Sequence, residues 1–224
     1  MSIKEMVFKR RKNGMDSPKT SFLVREPIET YQAKSKDYLT SHQLADFRRN
    51  PVLFRKKELG LVPEEDRPAY LVGRAAHTLI LEGREVFEKT YAVGGPVNPK
   101  TGEAYSERTK TYQEWAAAQG RPVLTNDQAA LVENMRASVA AHAKARELFA
   151  EGVPEGVARA TYRGHPCQVR PDWLHPSRGL VDLKTCDNLE WLEMDSRTYR
   201  YAHQFAFYRG VLAQAVDGPA PVYL

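Results

Sequence analysis

Apolar residues in the first part of the chain recur at helical spacing. Leu44, Phe47 and Phe54 predict two short helices that pack inward and meet at a bend where Asn50-Pro51 interrupts the pattern. Thr40 or Ser41 can cap the first of these helices. Residues 1–36 show little periodicity and mix basic residues with glycine, proline, serine and threonine. We therefore interpret them as a flexible or irregular N-terminal arm.

The middle of the chain is also helical in pattern. Residues 70–83 are apolar on nearly every side, which is typical of a buried helix, and Gly83 is placed to end it. A segment rich in glycine and proline follows, and residues 106–119 are then predicted to be helical. A longer helix should run from Thr125 or Asn126 to about Phe149, with its core stripe at Leu131, Met135 and Val139.

From Glu155 the pattern changes to short apolar runs separated by turn residues. These runs predict strands near 154–162, 165–174 and 179–185, followed by a helix over 188–215 and a further strand at 220–224. The predicted fold is α/β, with a small mixed sheet flanked by helices, in one domain over residues 37–224. The end of the chain at Leu224 leads us to expect a trimmed or shorter C-terminal part of that domain.

Composition narrows the class of protein. The chain has 224 residues, 42% of them hydrophobic and 27% charged, as in soluble globular proteins. A net charge of +5 permits attraction to a polyanion without requiring it. Cys167 and Cys186 are too few for a disulfide scaffold or for a cysteine-bound zinc or iron–sulfur site. No signal-like or membrane-spanning apolar run is present, so we expect a cytoplasmic protein with no membrane partner.

Candidate chemistry concentrates between Arg170 and Thr185. If the runs at 167–174 and 179–185 are adjacent strands, Asp172 and Asp182 converge near their ends. Lys184 lies two residues after Asp182 and shares its face of the strand. Paired carboxylates are hard ligands for Mg²⁺, and a nearby ammonium can position water at a scissile phosphate. The pattern indicates a metal-dependent phosphodiester hydrolase.

Three more side chains could contribute to this site, although each has a plain alternative. Gln204 and Tyr208 are four residues apart on one face of the predicted last helix, but both could be polar tips of a packing helix. His77 lies within an apolar helix, where a histidine is more often a satisfied core residue. Likewise, Asp172 could simply form a turn, and the pair of Asp182 with Lys184 could be a solvated strand edge.

Four segments together resemble the RecE-type (exonuclease VIII) family of PD-(D/E)xK nucleases, over a region from about Tyr38 to Leu224. The segments are Gly73-Arg-Ala-Ala-His77, Arg170-Pro-Asp172, Val181-Asp-Leu-Lys-Thr185, and Tyr201-Ala-His-Gln204 with Phe207-Tyr208. The resemblance implies a restriction-endonuclease-like core. It also implies that Asp172, Asp182 and the backbone carbonyl of Leu183 bind Mg²⁺, for which Mn²⁺ can substitute.

The same resemblance assigns roles to the remaining candidates. Lys184 would assist the attacking water, His77 would lie beside the metal, and Gln204 and Tyr208 would line the cleft. Glu155, on the preceding predicted strand, is a further candidate ligand. Cations that could contact DNA phosphates are Arg74, Arg108, Lys110, Arg170, Arg197 and Arg200.

The family's activity completes the expectation. Its members degrade the 5′ strand of linear double-stranded DNA and leave 3′ single-stranded tails, which a RecT-type annealing protein uses in recombination. They occur commonly in phages or prophages and form toroidal tetramers, so the resemblance implies a homo-oligomer acting on DNA ends in a bacterial or phage-infected cell. Two alternatives stay open: a restriction-type or structure-specific endonuclease on the same fold, and a non-catalytic module that binds DNA ends.

Overall fold

The N-terminal part of the chain is more regular than its sequence pattern predicts. The structure is a computed structural model that describes residues 23–62, 68–175, 178–215 and 222–223, so most of the predicted arm lies outside it. Within the described part, helix α1 (Ile28–Ala33) and a 3-10 turn (Lys34–Lys36) contradict the predicted irregular structure. Glu26 pairs there with Arg159. This partner is distant in sequence, which is why local periodicity did not reveal the segment.

Two short helices meet at Asn50 as predicted. They are α2 (Ser41–Arg49) and α3 (Pro51–Glu58), and Thr40 caps α2 through a reciprocal pair of hydrogen bonds with Gln43. The prediction that both helices pack inward through their aromatic residues was wrong for Phe47, whose side chain is 53% exposed. The Phe47 ring instead meets the edge of Phe54 near the surface.

The buried helix predicted over 70–83 is confirmed. Helix α4 (Pro68–His77) continues into a π-helical turn (Thr78–Glu82), and Gly83 ends it with a φ of +91°. Helix α5 (Arg84–Thr90) follows. These elements pack against later ones in one core cluster, whose buried members are Ala75, Ala76, Leu79, Phe87, Tyr91, Leu124 and Val132.

The segment from 92 to 149 contains two parallel strands that the sequence pattern did not indicate. Strand β1 (Ala92–Val93) pairs with β2 (Val123–Leu124) on either side of α6 (Lys110–Ala118). Two residues are too few to show an alternating pattern. The predicted long helix is divided into α7 (Asn126–Ala141) and α8 (Ala143–Phe149), and Val132 is buried where Leu131 was expected.

The predicted mixed sheet is confirmed, with shorter strands. Its order is β3 (Val153–Pro154), β6 (Trp173–His175), β7 (Gly179–Val181) and β8 (Val222–Tyr223), with only the β7–β8 pair parallel. Strands β4 (Ala158–Tyr162) and β5 (His165–Val169) form an antiparallel hairpin. The predicted strands at 154–162 and 165–174 are therefore each divided in two, and the strand predicted over 179–185 ends at Val181.

The predicted helix over 188–215 is also interrupted. A 3-10 turn (Leu189–Trp191), α9 (Leu192–Thr198) and α10 (Tyr201–Ala215) occupy this range, with a break at Arg200, whose φ is +57°. Helix α10 packs on the β4–β5 hairpin in a core that contains Ala158, Cys167, Val169, Leu180, Phe207, Tyr208, Val211 and Leu212. Among the described residues, none of the helices combines the length and apolar character needed to cross a bilayer.

Candidate metal-dependent active site

The pairing of β6 with β7 brings Asp172 and Asp182 together. Trp173 lies opposite Val181 in this antiparallel pair, so each aspartate occupies the next position outward on its own segment. The Leu183 amide donates a hydrogen bond of 2.7 Å to Oδ2 of Asp172, which joins the two segments beyond the last paired residues. A short hairpin therefore places both carboxylates at one end of the sheet, although Asp182 and Lys184 follow β7 and do not lie within it.

Asp182 is the most deeply placed carboxylate of the group. Its side chain has no exposed surface, and Oδ2 forms an ion pair with Lys184. Oδ1 accepts no hydrogen bond from the part of the chain that the structure describes. The Lys184 ammonium also lies 5.0 Å from the centroid of the Tyr201 ring. A buried carboxylate oxygen without a donor is costly unless another partner completes it.

His77 and Glu155 approach the aspartates from other elements. Nδ1 of His77, at the end of α4, is 3.7 Å from Oδ2 of Asp172. One ligand atom each from His77, Glu155 and Asp172 lies within 4.8 Å of the other two. Gly73 allows α4 this close approach, because a Cβ at that position would lie 3.2 Å from Oγ1 of Thr185.

Glu155 occupies its place through an unusual backbone conformation. Its φ of +53° is in the left-handed region, which non-glycine residues rarely adopt, and its amide donates a 3.0 Å hydrogen bond to the Asp172 carbonyl. Oε2 of Glu155 lies 3.1 Å from Nη1 of Arg170. The break between β3 and β4 thus turns this carboxylate towards the aspartates, which strand periodicity could not predict.

The carboxylates share a poorly solvated, crowded environment. Burial raises the pKa of Asp172 to about 6, against the attraction of Lys184. Burial and the neighbouring Asp172 raise the pKa of Asp182, also to about 6. Burial raises the pKa of Glu155 to about 8, to which Asp172 and Glu82 contribute. Burial and the charge of Lys184 lower the pKa of His77, so a neutral imidazole is favoured.

The residues present fit a divalent cation. Hard oxygen ligands from Asp172, Asp182 and Glu155 suit Mg²⁺ or Mn²⁺, and a cation would supply the partner that Oδ1 of Asp182 lacks. A cation would also offset the burial and the charge of Asp172, which raise the pKa values of Asp182 and Glu155. His77 is placed as a ligand or as a neighbour of such an ion, and a hydrogen bond to the Leu183 backbone contributes to its environment.

Gln204 and Tyr208 form a hydrogen-bonded chain that reaches the same segment. Nε2 of Gln204 donates to the Tyr208 hydroxyl over 3.2 Å, and this hydroxyl lies 3.4 Å from the Arg170 carbonyl, to which it donates. Tyr208 is buried in the core, and burial raises its pKa far above the usual value. Tyr208 therefore supports the backbone at Arg170, two residues before Asp172, from within the core.

The cations predicted to contact DNA are in different settings. Arg170 is mostly buried and paired with Glu155, which makes it a neighbour of the carboxylates. Arg74 and Arg200 are exposed on α4 and at the α9–α10 break, and Arg197 is exposed with Glu193 as its partner. Within the described residues, the contacts of Arg108 and Lys110 do not join them to the carboxylate cluster; Lys110 pairs with Glu114.

Sequence reasoning missed three residues near the site. His42 in α2 has its pKa lowered by desolvation and by the charge of Lys184. Burial raises the pKa of Tyr31 in α1 to about 12, against the charge of Arg170, which lowers it. Glu82 ends the π-helical turn and adds negative potential at Glu155. The local signal for His42 was its position in the first turn after the Thr40 cap, whereas Tyr31 lies in the segment interpreted as an arm.

Comparisons with known proteins bear on the fold and the family of this chain. Residues 40–224 match the family described as a PDDEXK-like domain of unknown function (DUF3799). A crystal structure from Eubacterium rectale, described as a "Putative exonuclease", superposes with a TM-score of 0.59 at 17% identity, covering 89% of this chain and 71% of that one. The search of curated proteins found no match. The chain has an α/β PD-(D/E)xK fold and belongs to the PDDEXK-like DUF3799 family of the PD-(D/E)xK nuclease superfamily.

Proposed function

We propose that this protein is a Mg²⁺-dependent exodeoxyribonuclease that degrades the 5′ strand of linear double-stranded DNA. The observation that carries the nuclease assignment is the buried Asp182 carboxylate, whose Oδ1 lacks a hydrogen-bond donor among the described residues, beside Asp172 and Lys184. Pro171-Asp172 and Asp182-Leu-Lys184 reproduce the PD-(D/E)xK pattern for which the superfamily is named.

The site residues divide the chemistry between them. Asp172 and Asp182 would hold the cation, with Glu155 as a further ligand, and a cation held there would supply activation of water and neutralisation of charge on the phosphate. Lys184 lies against Asp182, where its ammonium can orient the attacking water and balance developing charge. His77 is poised beside Asp172 in its neutral form, which leaves a ring nitrogen able to accept a proton or bind the ion.

Two further arguments favour an exonuclease over an endonuclease. The superposed bacterial structure is described as a "Putative exonuclease", and the four sequence segments resemble the RecE-type family. The 5′ polarity, the 3′ single-stranded product, transfer of that product to a RecT-type annealing protein, tetramer formation, and a phage or prophage origin follow from the resemblance. These features describe a cytoplasmic enzyme of DNA recombination.

The first test is digestion of linear duplex DNA labelled separately at its 5′ and 3′ ends, with Mg²⁺, Mn²⁺ or a chelator, beside a covalently closed circle. We expect metal-dependent release of the 5′ label and an intact circle, because a circle offers no end. Cutting of the circle would establish an endonuclease instead. Metal-independent DNA retention without any product would indicate a binding module.

A pair of variants tests the site itself. Asp182→Ala should abolish cleavage, because the carboxylate is required to bind the metal. DNA retention should persist, because the buried side chain is not on the surface that DNA would contact. Asp187→Ala is the matched control, since Asp187 lies on the same segment but is exposed. Metal-dependent cleavage by purified Asp182→Ala protein would refute the assignment.

A further inference from the structure

Two tyrosines stack next to the candidate active site. The ring centroids of Tyr199 and Tyr201 are 6.1 Å apart and their planes differ by 20°. Tyr201 is also the ring beneath the Lys184 ammonium, at 5.0 Å. Tyr199 is 64% exposed. An aromatic row therefore leads from the candidate catalytic lysine to solvent.

The backbone holds this pair in place. Arg200 separates the two tyrosines, and its left-handed φ of +57° breaks the chain between α9 and α10 so that neighbouring rings can lie side by side. The Tyr199 amide donates a 2.8 Å hydrogen bond to the Asp195 carbonyl, and the His203 amide donates to the Arg200 carbonyl over 2.9 Å. Strained backbone of this kind concentrates at functional sites.

Cationic and neutral polar side chains flank the Tyr199–Tyr201 pair along the chain, and the carboxylate of Asp195 also acts on Tyr201, whose pKa is raised first by burial. Arg200 and His203 are exposed on the same turn, and the guanidinium of Arg48 from α2 contacts the His203 imidazole. Arg197 is exposed one turn earlier on α9. Cations beside a stacking surface suit a ligand that combines a flat ring with phosphate groups.

We propose that Tyr199, stacked on Tyr201, is a platform for an unpaired nucleobase of the DNA substrate, and that it positions the strand whose phosphate approaches Lys184. This inference rests on the proposed function and extends it to the form of the substrate: a frayed or single-stranded end. Aromatic side chains stack with any base, so the platform accepts every sequence.

A protein partner fits these features less well. The row ends at the partly buried Lys184 side chain, and Arg200 and His203 are exposed beside it in the chain, whereas protein-binding surfaces are depleted of charge at their centre. A strand that reaches from the Asp172–Asp182 cluster towards solvent passes the Tyr201 and Tyr199 rings in turn. The platform therefore lies where a strand entering or leaving the cluster has lost its pairing partner.

The test is binding in a chelator, so that no cleavage occurs, to duplex DNA with a single-stranded extension that carries 2-aminopurine. Tyr199→Ala should weaken binding by about 5- to 150-fold, which is the range for loss of one stacked base. It should also abolish the quenching of 2-aminopurine fluorescence. Tyr199→Phe, which keeps the ring, and Met194→Ala, which removes an exposed apolar side chain from α9, just before Tyr199, should behave as the unmodified protein does.

The outcomes separate this inference from the proposed function. Unchanged binding and quenching by Tyr199→Ala would overturn the platform, as would an equal loss of affinity for a blunt duplex. Tyr199→Leu keeps apolar area without a ring, so it provides the same comparison if the alanine variant folds poorly. Selective loss of extended-DNA binding in a protein that cleaves no DNA would support the platform and refute the nuclease. DNA cleavage by the unmodified protein, together with unchanged DNA binding by Tyr199→Ala, would support the nuclease and refute the platform.

Discussion

Replacing Asp182 by asparagine should stabilise the metal-free protein at neutral pH. The carboxylate is fully buried, and its pKa is raised from 3.8 to about 6 by burial and by Asp172, despite the attraction of Lys184. Asparagine has nearly the same shape and carries no charge. The variant therefore removes the cost of keeping an ionised carboxylate in this position, which the functional site otherwise imposes on the fold.

The size of the effect follows from the pKa. A shift of about two pH units at about 1.4 kcal/mol per unit corresponds to about 3 kcal/mol for ionising this side chain in the folded chain. Because the folded state binds the proton more tightly, the loss of stability begins above the unfolded pKa near 3.8 and is complete above about 6. We expect Asp182→Asn to gain about 1 to 3 kcal/mol at pH 8, since Lys184 loses one partner, and almost nothing at pH 3.5.

Urea denaturation in a chelator at several pH values, followed by circular dichroism, measures this difference. Asp187→Asn is the control, and its exposed side chain should change stability by less than about 0.5 kcal/mol. With Mg²⁺ at pH 8, the unmodified protein should become more stable than the variant, because the cation binds the Asp182 carboxylate that the variant lacks. A variant that is equally or less stable than the unmodified chain at pH 8 without metal would refute the reasoning.

Three further outcomes are expected. Mg²⁺ should raise the melting temperature of the unmodified protein more at pH 8 than at pH 5, because protons compete for carboxylates whose pKa lies near 6; an equal shift at both pH values would contradict this. Gly210→Ala should lower the free energy of unfolding by about 1 to 3 kcal/mol, since its Cβ would lie 2.5 Å from Cζ of Tyr162, and Tyr162→Leu in the same chain should relieve much of that loss. Tyr208→Phe should cost about 1 kcal/mol in urea denaturation by removing the hydroxyl between Gln204 and the Arg170 carbonyl, and an unchanged midpoint would show that this chain of hydrogen bonds adds nothing.

Local rules account for the features that sequence analysis predicted correctly. Thr40 and Thr125 cap their helices through hydrogen bonds to residues three positions later, and Gly83 ends a helix by adopting a positive φ. Such signals depend only on near neighbours. The short connection between Asp172 and Asp182 is likewise local, so the convergence of two acidic residues at a hairpin could be expected from their spacing.

Other features depend on contacts between residues far apart in the chain. Glu155 joins the cluster through the left-handed backbone that follows β3. The segment around helix α1 has partners more than a hundred residues away: Arg159 pairs with Glu26, and Gln168 donates to the Tyr31 carbonyl. The break at Arg200 and the parallel strands β1 and β2 left no periodic signal.

The sequence by itself therefore determined the fold class, several helix caps and the acidic and basic residues available for chemistry, since composition, periodicity and caps are properties of neighbouring residues. Tertiary structure alone decided the burial of Asp182, the approach of His77 and Glu155, and the stacking of Tyr199 on Tyr201 beside Lys184. Desolvation and charge coupling arise only when distant segments pack together, and they set the pKa values of the site.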